Sequence, residues 1–292
     1  MWLPILFAQK ATPVYVLLAL SSAVLTGIWE FGIGRYRGRV KVYGIILVSA
    51  IATTITYLLN GVFRHDLMLD KNDVLPGLLG GTFNLIATIL ALKAFARGKM
   101  GVVTGVAAAS ILVPLGYSYL MGEELSRLSV IGIGVTVAGL IAFYVPNMKV
   151  KPGETNSVIA IVLAGGAALF WGLATVVVDI GSRVNVAGSL LMSMMPQILF
   201  TFVVVAVVHR SWGGLTRRSI APIAGAGVAL ALGNLAFFTA ANEGNLGVVS
   251  VLGSLDPIVV ALLALIFLKE KMARSDQVAL LIVIAGTCLV AV

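Results

Sequence analysis

Charged residues are scarce in this sequence, at 11% of 292 residues, whereas a soluble domain carries about 25%. Cysteine is almost absent: Cys288 stands alone, so no internal disulfide can form. Two histidines are present, and no C-x-x-C pair or H-E-x-x-H sequence accompanies them. These shortages exclude an ordinary soluble domain. They also lead us to expect no metal site and no cofactor.

Long apolar runs dominate the chain instead, and 60% of its residues are apolar. A helix needs about 20 apolar residues to cross the hydrocarbon core of a bilayer. Ten segments meet this requirement: 13–34, 42–62, 74–96, 101–121, 128–145, 157–180, 187–208, 219–242, 246–268 and 275–292. They are too long for barrel strands. We therefore predict an all-α, polytopic membrane protein with ten transmembrane helices. The opening MWLPILFAQK lacks the features of a cleaved signal peptide, and none is expected.

The two halves of the chain share a pattern. Four pairs of segments align at offsets of 145 to 147 residues: AVLTGIWE (23–30) with ALFWGLAT (168–175), ARGKMGVVT (96–104) with NEGNLGVVS (242–250), Glu123 with Glu270, and VTVAGLIAFYV (135–145) with IVIAGTCLVAV (282–292). We predict two five-helix repeats, 1–150 and 151–292, joined by a polar linker at 147–156. Because five is odd, the second repeat must enter the membrane in the opposite sense. Inverted repeats of this kind place a transporter's substrate site near the midplane.

The net charge of +8 comes from Lys and Arg residues at helix ends, so we expect it to orient the chain and not to bind nucleic acid. Fourteen of these residues, or fifteen with Lys93, lie in loops after odd-numbered runs, against five elsewhere. The positive-inside rule therefore predicts that the odd loops are cytoplasmic and both termini are outside.

Several motifs carry a family resemblance. They are FWG at 170–172, the G-x-x-G-V-V link before the ninth run, Asp256-Pro257 within that run, LKEKM at 268–272, and an Ala-Gly pair in the last run. In these features the chain resembles the drug/metabolite transporter superfamily, specifically its EamA-type ten-helix permeases. The first half departs from the pattern, with Thr-Gly at 26–27 in place of Phe-Trp-Gly. It also has Ser110 where the repeat alignment predicts the proline.

The resemblance implies a carrier that works by alternating access and often exports amino acids or small amines. It implies a central cavity walled mainly by helices 1, 3, 4, 6, 8 and 9, with Trp171 facing it. It also implies that both termini are cytoplasmic, which is the opposite of the orientation that the charge count predicts.

Glu30 is a candidate for binding a substrate ammonium or exchanging a proton. An ionisable group away from the helix ends is costly to bury and is a functional candidate by default. Glu30 lies one turn after Thr26, which aligns with Trp171 in the repeat. The alternative is a carboxylate near the helix end that pairs with Arg35 or another basic side chain.

Two amides and a neighbouring ring are further candidates for the substrate wall. Asn84 and Asn234 are expected at similar depth in the third and eighth helices, and Phe238 shares a face with Asn234. Each amide could bond a substrate, or it could hold two helices together by about 0.6 kcal/mol.

Asp256 stands directly before Pro257 inside an apolar run. Proline suits the first position of a helix and aspartate suits the N-cap before it, so we expect the helix to bend here and a half-helix to start. That gives Asp256 a structural role, although broken helices in carriers also tend to line the binding cavity.

Other function classes fit less well. A membrane enzyme would need a catalytic constellation within the spans, a channel would need a ring of like residues, and no nucleotide-binding motif is present. We therefore predict a secondary active transporter, an exporter of a small metabolite such as an amino acid or amine, coupled to protons or another gradient. The alternative is a flippase or permease for a larger amphipathic, lipid-linked or cationic drug substrate. The expected partners are a small-molecule substrate, the lipid bilayer of the cell (inner) membrane and protons, in a monomer or weak homodimer.

Overall fold

The structure is a computed structural model that describes residues 13–36, 39–65, 69–98, 103, 106–122, 126–144, 157–209, 214–267 and 274–290. Throughout these residues the regular elements are helices, with no strand. The helices are α1 (Pro13–Gly34), α2 (Val42–Arg64), α3 (Lys71–Phe95), α4 (Leu112–Leu120), α5 (Arg127–Tyr144), α6 (Ser157–Ser182), α7 (Val186–Val203), α8 (Arg217–Glu243), α9 (Leu246–Gly253), α10 (Asp256–Phe267) and α11 (Arg274–Val290).

Seven of the described helices are long and apolar enough to cross a membrane. They are α1, α2, α3, α6, α7, α8 and the continuous stretch formed by α9 and α10. Shorter apolar helices fill the fourth and fifth predicted runs, at Ala109–Leu120 and Arg127–Gly139. Large apolar side chains on the outside of the bundle are exposed, as Phe63 (80%) illustrates. The chain is thus an all-helical membrane protein, and its described helices follow the predicted runs closely.

Polar side chains satisfy the first backbone N–H groups of several helices, which have no partner within the helix itself. Asp70 accepts from the Asn72 N–H at 2.8 Å, and Asp73 accepts in return from the Asp70 N–H at 2.8 Å, forming a capping box at the start of α3. Asn185 and Asn245 cap α7 and α9 in the same way. These contacts explain why the helices begin where they do.

Helix packing brings the two halves of the chain together. α1 packs on α8, and α3 packs on α6; α3 also packs on α7, and α2 on α8. α2 contacts α7, α4 contacts α9, and α5 contacts α11. The main apolar core, which includes Trp29, Phe95 and Ile223, is built from α1, α2, α3, α6 and α8. The centre of the molecule therefore lies between the first and second halves.

The ninth predicted run is broken, as expected. α9 ends at Gly253 and α10 begins at Asp256 after a two-residue turn. The Leu255 carbonyl accepts from the Ile258 N–H at 3.0 Å, so Leu255 is the N-cap and Asp256 is the first helical residue. The prediction that Asp256 itself is the N-cap was wrong by one position. The fourth run is irregular too, because a 3₁₀ turn at Ala108–Ile111 precedes α4.

An ion pair is also present at the end of α6. The Arg183 guanidinium contacts Asp179 Oδ2 at 3.0 Å, one helical turn away, as a helix-end ion pair. Glu123, Glu270, the linker 147–156 and LKEKM at 268–272 lie outside the described residues.

Candidate substrate cavity

A cavity of about 200 Å³ lies at the centre of the bundle. Its wall carries all six residues that the sequence singled out: Glu30, Asn84, Trp171, Asn234, Phe238 and Asp256. Helices α1, α3, α4, α6, α8 and α9 contribute to the wall, as expected. α2 and α7 contribute as well, through residues such as Ser49 and Gln197, so the expected set of wall helices was incomplete.

Glu30 is buried, with 6% of its surface exposed, and faces the cavity from α1. Its Oε2 atom has no hydrogen-bond partner. Arg35 lies in the exposed turn after α1, and the ion pair between Glu30 and Arg35 considered as the alternative is not formed among the described residues. Glu30 is therefore a cavity-lining residue with a buried carboxyl group, one oxygen of which has no hydrogen-bond partner.

Asp256 comes close to Glu30 because α1 and α10 cross at Gly27. A Cβ on Gly27 would lie 2.8 Å from the Asp256 carbonyl oxygen and 2.6 Å from Val259 Cβ, so only glycine permits this approach. Glu30 follows Gly27 by three residues and shares its helix face. Glu30 and Asp256 both line the cavity. We call these two carboxyl groups the acidic corner of the cavity.

The two amides are each held by a bond to another helix. The Trp171 indole N–H donates to Asn84 Oδ1 at 2.9 Å, linking α6 to α3. The Asn234 side-chain amide donates to the Tyr57 hydroxyl at 3.0 Å, linking α8 to α2. Each amide keeps other hydrogen-bonding positions, so helix contact and substrate contact are compatible roles.

Aromatic rings complete one side of the wall. Phe238 is 6% exposed and meets Phe237 edge to face, with ring centroids 5.1 Å apart. Both rings line the cavity together with Trp171. An apolar ligand body could pack against this side.

Several polar residues of the cavity wall were not predicted from the sequence. Ser49 accepts from the Trp29 indole N–H at 3.2 Å, and Ser250 Oγ is buried without a partner. Gln197, for which a kink and a site were both possible, is buried on the wall. Serines in apolar runs also serve ordinary helix packing, so composition alone does not separate them. The spacing of Ser49 and Thr53, one turn apart on the same wall, was the available signal.

The ionisable side chains on the described part of the cavity wall are all acidic. It holds two carboxyl groups, and no lysine, arginine or histidine lines the cavity within the described part of the chain. Burying an unpaired charge within a membrane costs about 3 kcal/mol or more. A bound cation or proton would offset that cost. The cavity is therefore suited to positive charge.

A bundle of apolar helices with polar and acidic side chains on a central cavity is an arrangement found in membrane transporters. Residues 158–292 match the model of the EamA-like transporter family, which is a family of transporters and not of enzymes. The resemblance predicted from the motifs is thereby confirmed. The match leaves out the first half, where the departures from the family pattern lie.

Comparison with solved structures supports the fold. A structure described only as the crystal structure of a protein superimposes with a TM-score of 0.72 at 17% sequence identity, over 95% of this chain and 98% of that chain. At this identity the likeness establishes the fold alone. No curated protein matches the chain in sequence.

The bond between Trp171 and Asn84 gives a first prediction. We expect Trp171→Phe and Asn84→Leu to be coupled by about 0.6 kcal/mol, and at most about 1.7 kcal/mol, because each removes the same interhelical bond. A double-mutant cycle of unfolding free energies in detergent measures this. The matched control is Trp29→Phe with Asn84→Leu, since Trp29 bonds Ser49 instead. Equal coupling in both cycles would contradict a specific bond.

Proposed function

We propose that this protein is a secondary active transporter that exports a small amine or amino acid by alternating access, driven by a proton gradient. The observation that carries the proposal is the central cavity between the two halves, with a buried and unpartnered carboxyl group on its wall. The family of the second half supports it. We further propose that the protein is a multi-pass protein of the cell (inner) membrane, with both termini outside as the charge count predicts.

The proposal includes ten membrane spans in two inverted repeats, 1–150 and 151–292. Close helix contacts at glycines support this because they occur in related pairs. Gly27 meets the Asp256 carbonyl and Val259, and Gly172 meets the Ser110 carbonyl and Val113, with offsets of 145 and 146 residues. Three further pairs of contacts are related in the same way, at offsets of 144 to 147 residues. They are Gly81 on Ser193 with Gly227 on Ser49, Gly98 on Ala160 with Gly244 on Tyr15, and Gly139 on Val283 with Gly286 on Thr136.

The contacts between helices follow the same repeat symmetry. Swapping the halves turns the contact of α1 with α8 into that of α6 with α3, and the contact of α3 with α7 into that of α8 with α2. The contacts of α2 with α7 and of α5 with α11 map onto themselves. Such a pattern is what a two-fold axis in the membrane plane requires.

These offsets also pair residues across the cavity. Glu30 corresponds to Thr175, and Asp256 corresponds to Ser110, where the sequence alignment had set Ser110 against Pro257. Asn234 corresponds to Thr88, so the two amides Asn84 and Asn234 are not equivalent positions. The residues of both repeats named here, from Glu30 and Thr175 to Asp256 and Ser110, line the cavity, which supports a site formed jointly by the two repeats.

The size of the cavity favours a small substrate over a lipid-linked one. Sites for drug-sized ligands usually have volumes of about 300–1,000 Å³. This cavity, at about 200 Å³, falls below that range. A flippase for a large amphipathic substrate is therefore the weaker candidate.

Purified protein in liposomes tests the proposal. The liposomes contain a pH-sensitive dye and hold a proton gradient, and a panel of amines and amino acids is added outside in turn. We expect at least one compound to move protons across the membrane, in amounts that follow its own flux. Substrate movement that is indifferent to the gradient would reject proton coupling, and no movement of any compound would reject the transporter as proposed.

A further inference from the structure

The acidic corner has an unsatisfied atom that points to a ligand. Glu30 lines the cavity and is 94% buried, since 6% of its surface is exposed, and its Oε2 has no hydrogen-bond partner. Buried polar atoms are rarely left without a partner unless a ligand, ion or water supplies one. Asp256 lies on the same stretch of wall. The corner therefore offers two carboxyl groups to whatever enters.

The opposite corner, related to the first by the proposed repeat, is neutral. Thr175 and Ser110 stand there in place of Glu30 and Asp256. The Thr175 hydroxyl donates to the Trp171 carbonyl at 3.0 Å within its own helix. The backbone geometry is alike at both corners, since Gly172 meets Ser110 as Gly27 meets Asp256. Charge distinguishes the two corners, so a charged ligand has one favoured orientation.

A carboxylate on the ligand would find no charged complement on the described part of the cavity wall. Its described wall has no basic side chain, and it already carries two acidic ones. Placing like charges together opposes binding and is a common means of rejecting a wrong ligand. Trp171, Phe237 and Phe238 offer faces that suit an apolar body.

We propose that the cavity selects small amines in their ammonium form over amino acids and over carboxylic acids. The ammonium group binds at the acidic corner, and the apolar body packs against Trp171 and Phe238. The proposal rests on the proposed function and names the substrate class of the same site. The proposed function names amines and amino acids as alternative substrates, and this proposal selects amines.

Three matched sets of compounds test the selectivity. Each set keeps one apolar body (3-methylbutyl, 2-phenylethyl or n-hexyl) and presents it as the amine, as the α-amino acid and as the carboxylic acid. Binding to the purified full chain in detergent is followed by quenching of tryptophan fluorescence, because Trp29 and Trp171 both line the cavity. We expect the amine of the best-binding set to bind at least about tenfold more tightly than its two companions. An amino acid or acid that binds as well as its amine overturns the proposal, as does the failure of all three amines to bind.

A sharper test transfers the two carboxyl groups, by substitution, to the corresponding positions of the other repeat. The variant Glu30→Thr with Asp256→Ser should lose the preference for the amine. Adding Thr175→Glu and Ser110→Asp should restore it by about tenfold or more, because the two corners are built alike. A folded four-substitution variant that shows no preference overturns the proposal. Should that variant fail to fold, Glu30→Gln alone must lose the preference, and its retention has the same consequence.

The failure of this proposal and that of the proposed function can be told apart. Binding in detergent does not require movement across a membrane. Amines that bind but do not cross liposomes would reject transport and leave the site assignment standing. Amino acids that cross liposomes with protons, and bind as tightly as amines, would reject the selectivity and leave transport standing.

Discussion

Glu30→Gln is expected to abolish proton-driven transport in liposomes. Glutamine keeps the size and the hydrogen-bonding shape of a protonated carboxyl group, but it cannot release a proton or hold a positive charge. Glu30 is buried, faces the cavity and has an unpartnered oxygen, so no neighbouring group already neutralises its charge in the structure. The measurement is substrate flux with and without a pH gradient, at equal protein density in the membrane.

Glu243→Gln is the matched control for this variant. Glu243 ends α8 and is exposed, so the same chemical change there should leave gradient-driven flux within about twofold of the unmodified protein, as surface changes usually do. If substrate flux in Glu30→Gln still depends on the pH gradient as it does in the unmodified protein, Glu30 is not the proton carrier. Loss of flux in both variants would point to a general effect of charge removal.

Asp256→Asn separates the two roles considered for that residue. The substitution keeps a side chain that suits a helix start, so α10 should form and thermal stability should change little. If Asp256 acts with Glu30, flux should fall even though the protein remains folded. Flux that survives unchanged would assign Asp256 to the helix break alone.

The predicted helices were close to the observed ones because the apolar runs are long and separated by short polar segments. The break at 254–255 was also predictable, since Pro257 cannot continue the backbone hydrogen bonds of a helix. The predicted start of α10 was wrong by one residue, because helix ends depend on local backbone geometry that a dipeptide pattern does not specify. Ser110 had no such signal, and its 3₁₀ turn became visible only in the structure.

The candidate site was predictable where a residue was unusual for its surroundings. Glu30 and Asp256 are conspicuous because carboxyl groups are rare in apolar runs. Ser49 was missed as a wall residue because α2 was not among the helices expected to form most of the wall. The partnership of Glu30 with Asp256 joins residues 226 positions apart, and it depends on the crossing of α1 and α10 at Gly27. Only the packing of helices from different halves reveals it.

Gly227→Ala is expected to destabilise the protein by about 2 kcal/mol, within the range for overpacked sites. A Cβ on Gly227 would lie 2.5 Å from the Ser49 carbonyl oxygen and 3.0 Å from its Cα. These are backbone atoms, so α2 would have to move away from α8. Thr53 also donates to the Gly227 carbonyl at 2.8 Å, and that bond would be strained by the same movement. Unfolding in detergent, by heat or denaturant, measures the change.

Gly225→Ala is the matched control, because it lies two residues earlier in the same helix and a Cβ there meets nothing within 4 Å. Alanine should stabilise this exposed helical position by up to about 1 kcal/mol, since glycine is the poorer helix former. Gly81→Ala, at the corresponding contact with Ser193, should resemble Gly227→Ala and not the control. The Gly81→Ala result tests the repeat, because substitutions at equivalent glycines of the two repeats should destabilise the protein similarly. Equal stability of Gly227→Ala and Gly225→Ala would contradict the close approach of α2 and α8.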